Sequence, residues 1–366
     1  MESTQSASVS AALPKLIHAA IARDGGWLRF DRFMALALYA PGLGYYANRG
    51  RKFGTLPQSG SDFVTAPELS PLFGRALARQ LAQALQASDT HEVWEFGAGS
   101  GALAQQLLDA LGEQVERYTI VDLSGTLRER QRERLAAFGD RVRWVDELPA
   151  QIAGVIVGNE VLDAMPVQLL HFDGMQWFER GVVAHDDGFA WGDRPTALTP
   201  PFDGSFAPGA VTETHQQAEA FVATLAERLT RGAAFFIDYG FPEAEYYHPQ
   251  RDGGTLMCHK AHLADTDPLA DIGAKDITAH VNFTGIALAA QNAGLDVLGY
   301  TTQAHFLINC GLMALLEGAD LRTTANTQKL LTEHEMGELF KVIGFSKGAF
   351  DAMPLGFTQG DRTHTL

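Results

Sequence analysis

The sequence predicts an α/β fold whose central sheet is mainly parallel. From residue 92 onward, short apolar runs alternate with helical patterns at the spacing of strand–helix–strand crossovers. The first of these runs ends in closely spaced glycines, which is where open parallel sheets bind their ligands. The chain has 366 residues, 46% of them hydrophobic and 20% charged. It is therefore long enough for one large core or two coupled lobes.

Helices are predicted ahead of the sheet. Apolar residues recur with a helical period over residues 13–24, 30–39 and 69–87. A loop rich in glycine and aromatic residues, 41–46, follows the second of these helices. We expect residues 1–88 to form a helical N-terminal region that includes a lid over the ligand site.

The sheet and its crossovers follow from the alternation of short apolar runs with helical periods. The predicted strands are 92–96, 117–122, 141–145, 153–158, 233–239 and 295–302. The predicted helices between them are 101–111, 125–137, 213–230 and 282–293. The ligand-binding core is therefore expected within 89–167 and the rest of the core within 213–302. C-terminal helices and a last strand near 354–358 are expected within 303–366.

Two segments interrupt the alternating pattern. Residues 168–212 contain aromatic runs around Asp173-Gly174 and Asp187-Gly188, which indicate antiparallel hairpins. Residues 240–280 form a long insertion, which we expect on the substrate side of the sheet.

Composition excludes several classes of protein. The formal net charge of −16 disfavours nucleic acid as a partner. Two cysteines argue against a disulfide scaffold, and no apolar run is long enough to span a bilayer. The sequence predicts a soluble cytoplasmic protein. Cys258-His259-x-x-His262 lacks a second ligand pair at zinc-finger spacing, so no metal site is predicted.

The glycine loop has two interpretations. Gly97, Ala98, Gly99 and Gly101 fit the methyltransferase pattern G-x-G-x-G, and with the following alanine they also fit the dinucleotide pattern G-x-G-x-x-A. Glu95 favours the first, because its carboxylate would repel a pyrophosphate but suits the sulfonium and ammonium groups of S-adenosylmethionine. The sequence therefore predicts S-adenosylmethionine as the cofactor.

Acidic residues end the next two predicted strands. Asp122, with the adjacent Leu123, is assigned to the cofactor site, because an acid there accepts hydrogen bonds from the ribose hydroxyls. A helix N-cap is the alternative for Asp122, although Ser124 suits that role better. Asp146 is placed near the adenine amino group, and a plain turn aspartate is an equal alternative.

The end of the fourth strand holds the candidate catalytic residues. Asn159, Glu160 and Asp163 follow the strand at the edge where the methyl donor is expected. Glu160 could hold a guanidinium by two parallel hydrogen bonds, and Asp163 could share that task. The alternative for both carboxylates is to cap a short helix before Pro166.

These residues belong to an ordered set of motifs that resembles a known family. The motifs are Pro41-x-x-Gly44-Tyr45-Tyr46, residues 61–68, residues 95–101, residues 159–167, residues 237–240, Tyr246-Tyr247, Arg251-x-x-Gly254-Thr255-Leu256 and Asp276-Ile277-Thr278-x-His280-Val281. Together they resemble the MidA-like methyltransferases, bacterial and mitochondrial relatives of the complex I assembly factor that methylates an arginine. The resemblance extends from about residue 14 to beyond residue 300. It implies a Rossmann-like class I methyltransferase fold with elaborations, and arginine methylation at least in the mitochondrial members.

Two positions depart from the family pattern. Asp122 stands where the family is associated with Glu, and its shorter side chain should still reach a ribose. Asn282 stands where many members have Asp, which puts any catalytic use of that position in doubt.

The remaining motifs gain candidate roles. Thr65 and Glu68 could face the cofactor from a lid, although Thr65-x-x-Glu68 also has the spacing of a capping box. The candidate substrate-binding residues are Tyr246, Tyr247, Arg251 and His280, which could equally be packed structural residues.

The sequence thus predicts a methyltransferase that acts on a partner protein, for example a respiratory-chain subunit. The apolar residues of the hairpin region, Trp177, Phe178 and Trp191, could serve a protein partner or a homodimer, or could equally fold back onto the core. The alternatives are an S-adenosylmethionine-binding assembly factor without turnover, a small-molecule methyltransferase and a nicotinamide-dependent oxidoreductase.

Overall fold

The computed structural model describes residues 2–48, 64–122, 124–260, 262–348, 350 and 353–366. The helices are α1 (Glu2–Arg23), α2 (Phe30–Tyr39), α3 (Ala66–Leu69), α4 (Pro71–Ser88), α5 (Ala102–Leu111), α6 (Gly125–Arg134), α7 (Gln216–Arg228), α8 (Glu243–Tyr246), α9 (Phe283–Asn292), α10 (Gln303–Asn309), α11 (Leu312–Leu316) and α12 (Leu321–Leu331). The strands are β1 (Leu28–Arg29), β2 (Glu92–Phe96), β3 (Arg117–Val121), β4 (Val142–Val145), β5 (Ile152–Asn159), β6 (Gln168–Phe172), β7 (Trp177–His185), β8 (Gly188–Pro195), β9 (Val211–Thr214), β10 (Leu229–Phe241), β11 (Met257–Lys260), β12 (Leu263–Asp265), β13 (Asp276–Thr278), β14 (Val281–Asn282), β15 (Asp296–Thr302) and β16 (Phe340–Lys347). Short 3₁₀ or π turns are Gly112–Gln114, Ala136–Arg141, Glu333–Gly337, Leu355–Phe357 and Thr363–Thr365.

The chain divides into two compact units, each built from segments that are distant in sequence. The first comprises Met1–Phe63, Asp163–Ala218 and Glu243–Asn282. The second, which we call the core unit, comprises Val64–Leu162, Glu219–Pro242 and Phe283–Leu366. The division predicted from the sequence follows the chain from end to end, whereas these units each collect three separate segments.

The core unit contains the predicted α/β sheet. Its strands lie in the order β15-β16-β10-β5-β2-β3-β4. The five strands from β10 to β4 are mutually parallel, and β16 is antiparallel to both of its neighbours. Numbered along the chain within this sheet, the order is 3-2-1-4-5-7-6. The first five strands follow the nucleotide-binding order, and the antiparallel seventh strand distinguishes this sheet from the dinucleotide fold.

The last strand was predicted at the wrong place. Residues 355–357 form a 3₁₀ turn, and the final strand is β16, whose residues 340–346 are buried. Phe357 packs instead on the face of this sheet region, where a Cβ added to Gly299 or Gly344 would lie 2.3 and 2.9 Å from its ring. The ring of Phe357 therefore packs over these two glycines, and this residue is not part of a strand.

Two parallel strands of the core approach each other closely through glycine. Gly232 of β10 is paired with Gly154 of β5, and it has a φ of +138°. A Cβ on Gly232 would lie 1.8 Å from the carbonyl oxygen of Gly154. Only glycine fits here, so the spacing of β5 and β10 depends on this pair.

The first unit is built around antiparallel strands, as the hairpin pattern predicted. β6 pairs with β7 and β9, and β7 pairs with β8 and β1. The core of this unit includes buried residues of α1, α2 and β7, and Phe189 stacks on His18 with ring centroids 4.5 Å apart. The predicted long insertion 240–280 contains α8 and a small antiparallel sheet in the order β12-β11-β13.

None of the helices in the described parts of the chain combines the length and apolar composition that a bilayer span requires.

Candidate active site

The glycine loop connects β2 to α5 in the core unit. Gly97, Gly99 and Gly101 have φ values of +62°, +53° and +81°, a region that other residues rarely adopt. The loop is held from two sides, since the Gly97 amide donates to the Val121 carbonyl (3.0 Å) and Gln131 Nε2 donates to the Gly99 carbonyl (2.9 Å). The tight turn expected after the first strand is therefore confirmed.

Glu95 lies one residue inside the end of β2 and is only 2% exposed. The Tyr118 hydroxyl donates a 2.7 Å hydrogen bond to its Oε2 atom. Burial raises the pKa of the Glu95 carboxyl to about 8, although the hydrogen bond from Tyr118 opposes this change. The carboxyl next to the glycine loop is thus mostly protonated at neutral pH in the protein alone.

Asp122 follows β3 and is 7% exposed. Its Oδ1 accepts from the Ser124 amide (2.9 Å), and its Oδ2 accepts from Gln131 Nε2 (2.8 Å). Burial raises the pKa of the Asp122 carboxyl, against the effect of these hydrogen bonds. Ser124 caps α6 by accepting from the Leu127 amide (3.3 Å), as the sequence indicated. Gln131, which the sequence analysis did not single out, thus connects the acid to the glycine loop.

The sequence analysis also assigned Leu123 and Asp146, which follow β3 and β4, to the cofactor site. Leu123, assigned to the cofactor site from the sequence, lies outside the described residues. Asp146 has a side chain that is 84% exposed and pairs with Arg128 at 2.5 Å. Arg128 also donates to the carbonyl of Asp122 at 2.6 Å, so it links the two loops that follow β3 and β4.

The predicted lid is described from Val64 onward. Thr65 precedes α3 as expected for a cap, but its side chain accepts no capping hydrogen bond, so the capping-box expectation is wrong. Glu68 instead accepts from the Ser100 hydroxyl and pairs with Arg134 at 3.1 Å. Because Ser100 belongs to the glycine loop, Glu68 holds that loop directly.

Asn159 and Glu160 form a turn at the carboxyl end of β5, one strand away from the glycine loop. Phe96 of β2 is paired with Gly158, and a Cβ on Gly97 would lie 3.1 Å from Val161 Cγ2. Asn159 Nδ2 donates to Glu160 Oε1 (2.9 Å). Asn159 Oδ1 is buried and accepts no hydrogen bond from the described residues. The structure therefore places this turn directly beside the first glycine.

Asp163 belongs to the first unit, where it is 3% exposed and its carbonyl accepts from the Ala279 amide (2.9 Å). No helix occurs between residues 160 and 167. The alternative that Glu160 and Asp163 cap a short helix before Pro166 is therefore wrong, because this segment forms a turn.

The candidate substrate residues lie in the first unit, around a buried carboxylate that the sequence analysis missed. Glu213 is fully buried and accepts from the Tyr246 hydroxyl (2.8 Å) and from the Thr255 and Leu256 amides (2.8 and 3.0 Å). Tyr247 also donates to the Glu213 carbonyl (3.0 Å). Both tyrosine hydroxyls are thus engaged with one residue.

The other two candidate substrate residues extend from the same insertion. The His280 amide donates to the Thr255 hydroxyl at 3.1 Å, and the Arg251 amide donates to the His248 carbonyl at 2.8 Å. Burial lowers the pKa of His215, which contacts Tyr246 at 3.0 Å, to about 3. The substrate role of the four residues stays a prediction.

The Cys258-His259-x-x-His262 motif does not form a metal cluster. Cys258 is buried in β11, and burial raises the pKa of its thiol to about 12. Among the described residues, no group of three or more His, Cys, Asp or Glu side chains is arranged to hold a metal ion.

The strand order and the glycine loop together define the class of the protein. A parallel sheet with an antiparallel seventh strand, a left-handed glycine loop after the first strand and a polar turn after the fourth form the core of a class I methyltransferase.

Comparison with known proteins gives the family. The model of a family of S-adenosyl-L-methionine-dependent methyltransferases matches residues 76–301, more than half of the chain. The chain belongs to this family, the MidA-like methyltransferases.

A solved structure agrees over nearly the whole chain. It is a protein from Burkholderia thailandensis bound to S-adenosyl-homocysteine, 52% identical, with a TM-score of 0.94 and coverage of 98% of this chain and 97% of that one. S-adenosyl-homocysteine is the cofactor after loss of its methyl group. The cofactor of this chain is S-adenosylmethionine, as the sequence predicted.

Curated relatives are more distant. The protein arginine methyltransferase NDUFAF7 homolog of Drosophila melanogaster is 25% identical, with coverage of 96% of this chain and 88% of the relative. The human protein arginine methyltransferase NDUFAF7 is 27% identical, with coverage of 93% and 83%. Both relatives are mitochondrial proteins by name.

Proposed function

We propose that this methyltransferase transfers the methyl group of S-adenosylmethionine to an arginine side chain of a partner protein. The observation that supports this most is the Asn159–Glu160 turn, because it joins a carboxylate to an amide side chain with a buried oxygen at the end of the strand next to β2, which leads into the glycine loop. The names of the fruit-fly and human relatives support the same chemistry.

The residues of the core unit fit the cofactor. The three left-handed glycines carry no side chains, so a nucleoside can approach the backbone of the loop closely at these positions. We assign the donor site to this loop with Glu95, Ala98 and Asp122, and its support to Thr65 and Glu68. A positive charge next to Glu95 would favour its ionised form, which burial otherwise disfavours. Leu123 and Asp146 remain predicted contacts.

The Asn159–Glu160 turn fits a guanidinium. Arginine presents several N–H donors in one plane, and a carboxylate accepts two of them in parallel. A buried oxygen without a donor costs about 1–3 kcal/mol, so the Asn159 Oδ1 atom is suited to receive a hydrogen bond from a ligand. Together the two side chains would hold one guanidino nitrogen in a fixed direction.

The turn would act mainly by orientation. When bound, S-adenosylmethionine supplies an electrophilic methyl group. Aligning a nitrogen lone pair with such a group lowers the barrier without any covalent role for the protein. Glu160 would hold the guanidinium and favour removal of the proton that the nitrogen must lose. Asp163 stays a predicted helper, and a respiratory-chain subunit and a homodimer stay predicted partners.

The experiment incubates the protein with methyl-labelled S-adenosylmethionine and a protein extract, and locates the label by mass spectrometry. We expect label on arginine in wild type. The Glu160→Gln variant, which keeps the shape but loses the charge, should lose at least a hundredfold in rate while its Kd for S-adenosyl-homocysteine stays within twofold.

Three outcomes would contradict the proposal. Label confined to small molecules would indicate a small-molecule methyltransferase. Cofactor binding without any label would indicate an assembly factor that does not turn over. Full activity of Glu160→Gln would show that this carboxylate does not handle the acceptor.

A further inference from the structure

Glu160 has a left-handed backbone conformation at the end of β5, with a φ of +54°. Residues other than glycine avoid this region because Cβ approaches the neighbouring carbonyl oxygen. Such a conformation persists only where the surrounding structure enforces it, and it is frequent at functional sites. Contacts on either side of Glu160 must therefore hold the turn.

Those contacts come from Asp238 on the neighbouring strand β10. Its Oδ2 atom accepts from the amides of Val161 (3.1 Å) and Leu162 (2.9 Å), the two residues that follow Glu160. Its Oδ1 atom accepts from the Tyr239 amide (3.0 Å). Asp238 is only 1% exposed, so water does not compete for these hydrogen bonds.

The preceding side of the turn is fixed by the same strand. The Glu160 amide donates to the Ile237 carbonyl (2.9 Å), and Ile237 is paired with Asn159 in the parallel register. The chain is thus held before Glu160 by the sheet and after it by the Asp238 carboxylate.

We propose that Asp238 is a positioning residue that keeps Glu160 in its left-handed conformation and so fixes where the Glu160 carboxylate points. The inference rests on the proposed function of Glu160 as the group that holds the acceptor. Asp238 itself touches backbone amides, so it acts through the turn. This assigns a role to the Ile237-Asp238-Tyr239-Gly240 motif.

The first test measures the conformation and needs no activity. Glycine tolerates a left-handed position better than alanine, so Glu160→Gly should fold more favourably than Glu160→Ala, by roughly threefold in the folding equilibrium constant. In the Asp238→Ala background this preference for glycine should disappear. Urea unfolding of the four variants gives the comparison, with Asp238→Asn, which keeps one acceptor oxygen, as the substitute if Asp238→Ala does not fold.

A matched control uses Asp186, a non-glycine residue with a φ of +48° in the turn between β7 and β8. Asp186→Gly should be favoured over Asp186→Ala in both backgrounds, because the turn at Asp186 joins two strands, β7 and β8, that pair directly with each other. An unchanged glycine preference at position 160 without Asp238 would overturn the proposal.

The second test is a double-mutant cycle on the rate. Asp238→Asn should lower kcat roughly tenfold in wild type at an unchanged Kd for S-adenosyl-homocysteine, and less than twofold in the Glu160→Gln background. Equal losses in both backgrounds would show that Asp238 acts independently of Glu160, and would overturn the positioning role.

The two tests separate this inference from the proposed function. If wild type methylates no arginine, the proposed function fails while the glycine–alanine comparison still decides whether Asp238 holds the turn. If arginine is methylated and the glycine preference is unchanged, the positioning role alone fails.

Discussion

The buried carboxyl of Glu95 should make cofactor binding depend on pH. Its pKa is about 8 in the protein alone, because the side chain is 2% exposed and its hydrogen bond from Tyr118 does not offset the cost of burial. A cationic cofactor favours the ionised carboxylate. The cofactor should therefore bind more tightly as the pH rises towards 8, because the free energy needed to remove the proton from the Glu95 carboxyl decreases.

The size of the effect follows from the pKa. Below pH 8 each pH unit costs about 1.4 kcal/mol, which is about a tenfold loss in affinity, so the Kd should weaken up to about a hundredfold between pH 8 and pH 6. The stability of the protein alone should change in the opposite sense. The folded state keeps its proton up to about pH 8 while the unfolded chain loses it near 4.5, so stability falls by up to about 5 kcal/mol across that interval.

The assay compares wild type with Glu95→Gln, which cannot ionise, by calorimetric titration with S-adenosylmethionine between pH 6 and 9. The amino group of the cofactor titrates near 8 as well, and it does so in both proteins. The difference between the two pH slopes therefore isolates Glu95. Identical pH slopes of cofactor affinity in the two proteins would refute the reasoning. So would a stability measurement without cofactor in which the urea midpoint of wild type changes no more between pH 5 and pH 8 than that of Glu95→Gln.

Two further predictions concern stability. Gly232→Ala should destabilise the core unit by about 4 kcal/mol or more, because its Cβ would lie 1.8 Å from the Gly154 carbonyl oxygen. The control is Gly125→Ala, which has open space around its Cβ and should change the urea midpoint little. A mild effect of Gly232→Ala would mean that β5 and β10 can separate at low cost. Glu213→Ala should cost about 2–4 kcal/mol, because the buried Thr255 amide and the half-buried Leu256 amide lose their acceptor while the Tyr246 hydroxyl keeps His215 as a partner. Glu213→Gln should cost less, and equal losses in thermal unfolding would contradict this account.

Much of the fold could be predicted from local pattern. β2 has the predicted bounds 92–96, α2 has the predicted bounds 30–39, and the other core strands are displaced by at most a few residues. The last strand was predicted near 354–358, where the chain forms a 3₁₀ turn whose Phe357 packs over two glycines, and the strand β16 was not predicted. Only the position of the glycines on other strands shows what that ring packs against.

Only part of the candidate site could be predicted from the sequence. The glycine loop, Glu95 and the cofactor follow from spacing and charge, because three left-handed glycines and a carboxylate lie within seven consecutive residues. Gln131, Glu213 and Asp238 were missed as partners. Each is a buried polar residue whose hydrogen-bond partners include groups far away in the chain, and no local pattern records such a partner.

The sequence by itself determined the alternation of strands and helices, the glycine turn and the identity of the cofactor. These depend on backbone preferences and side-chain periodicity, which act over a few residues. The tertiary structure alone decided that burial raises the pKa of the Glu95 carboxyl to about 8 and that Tyr246 and Tyr247 turn their hydroxyls to Glu213. It also decided that the Asp238 carboxyl, 76 residues beyond Leu162, accepts the amides that follow Glu160. Burial and long-range hydrogen bonds fix these features, and both exist only once distant segments of the chain have come together.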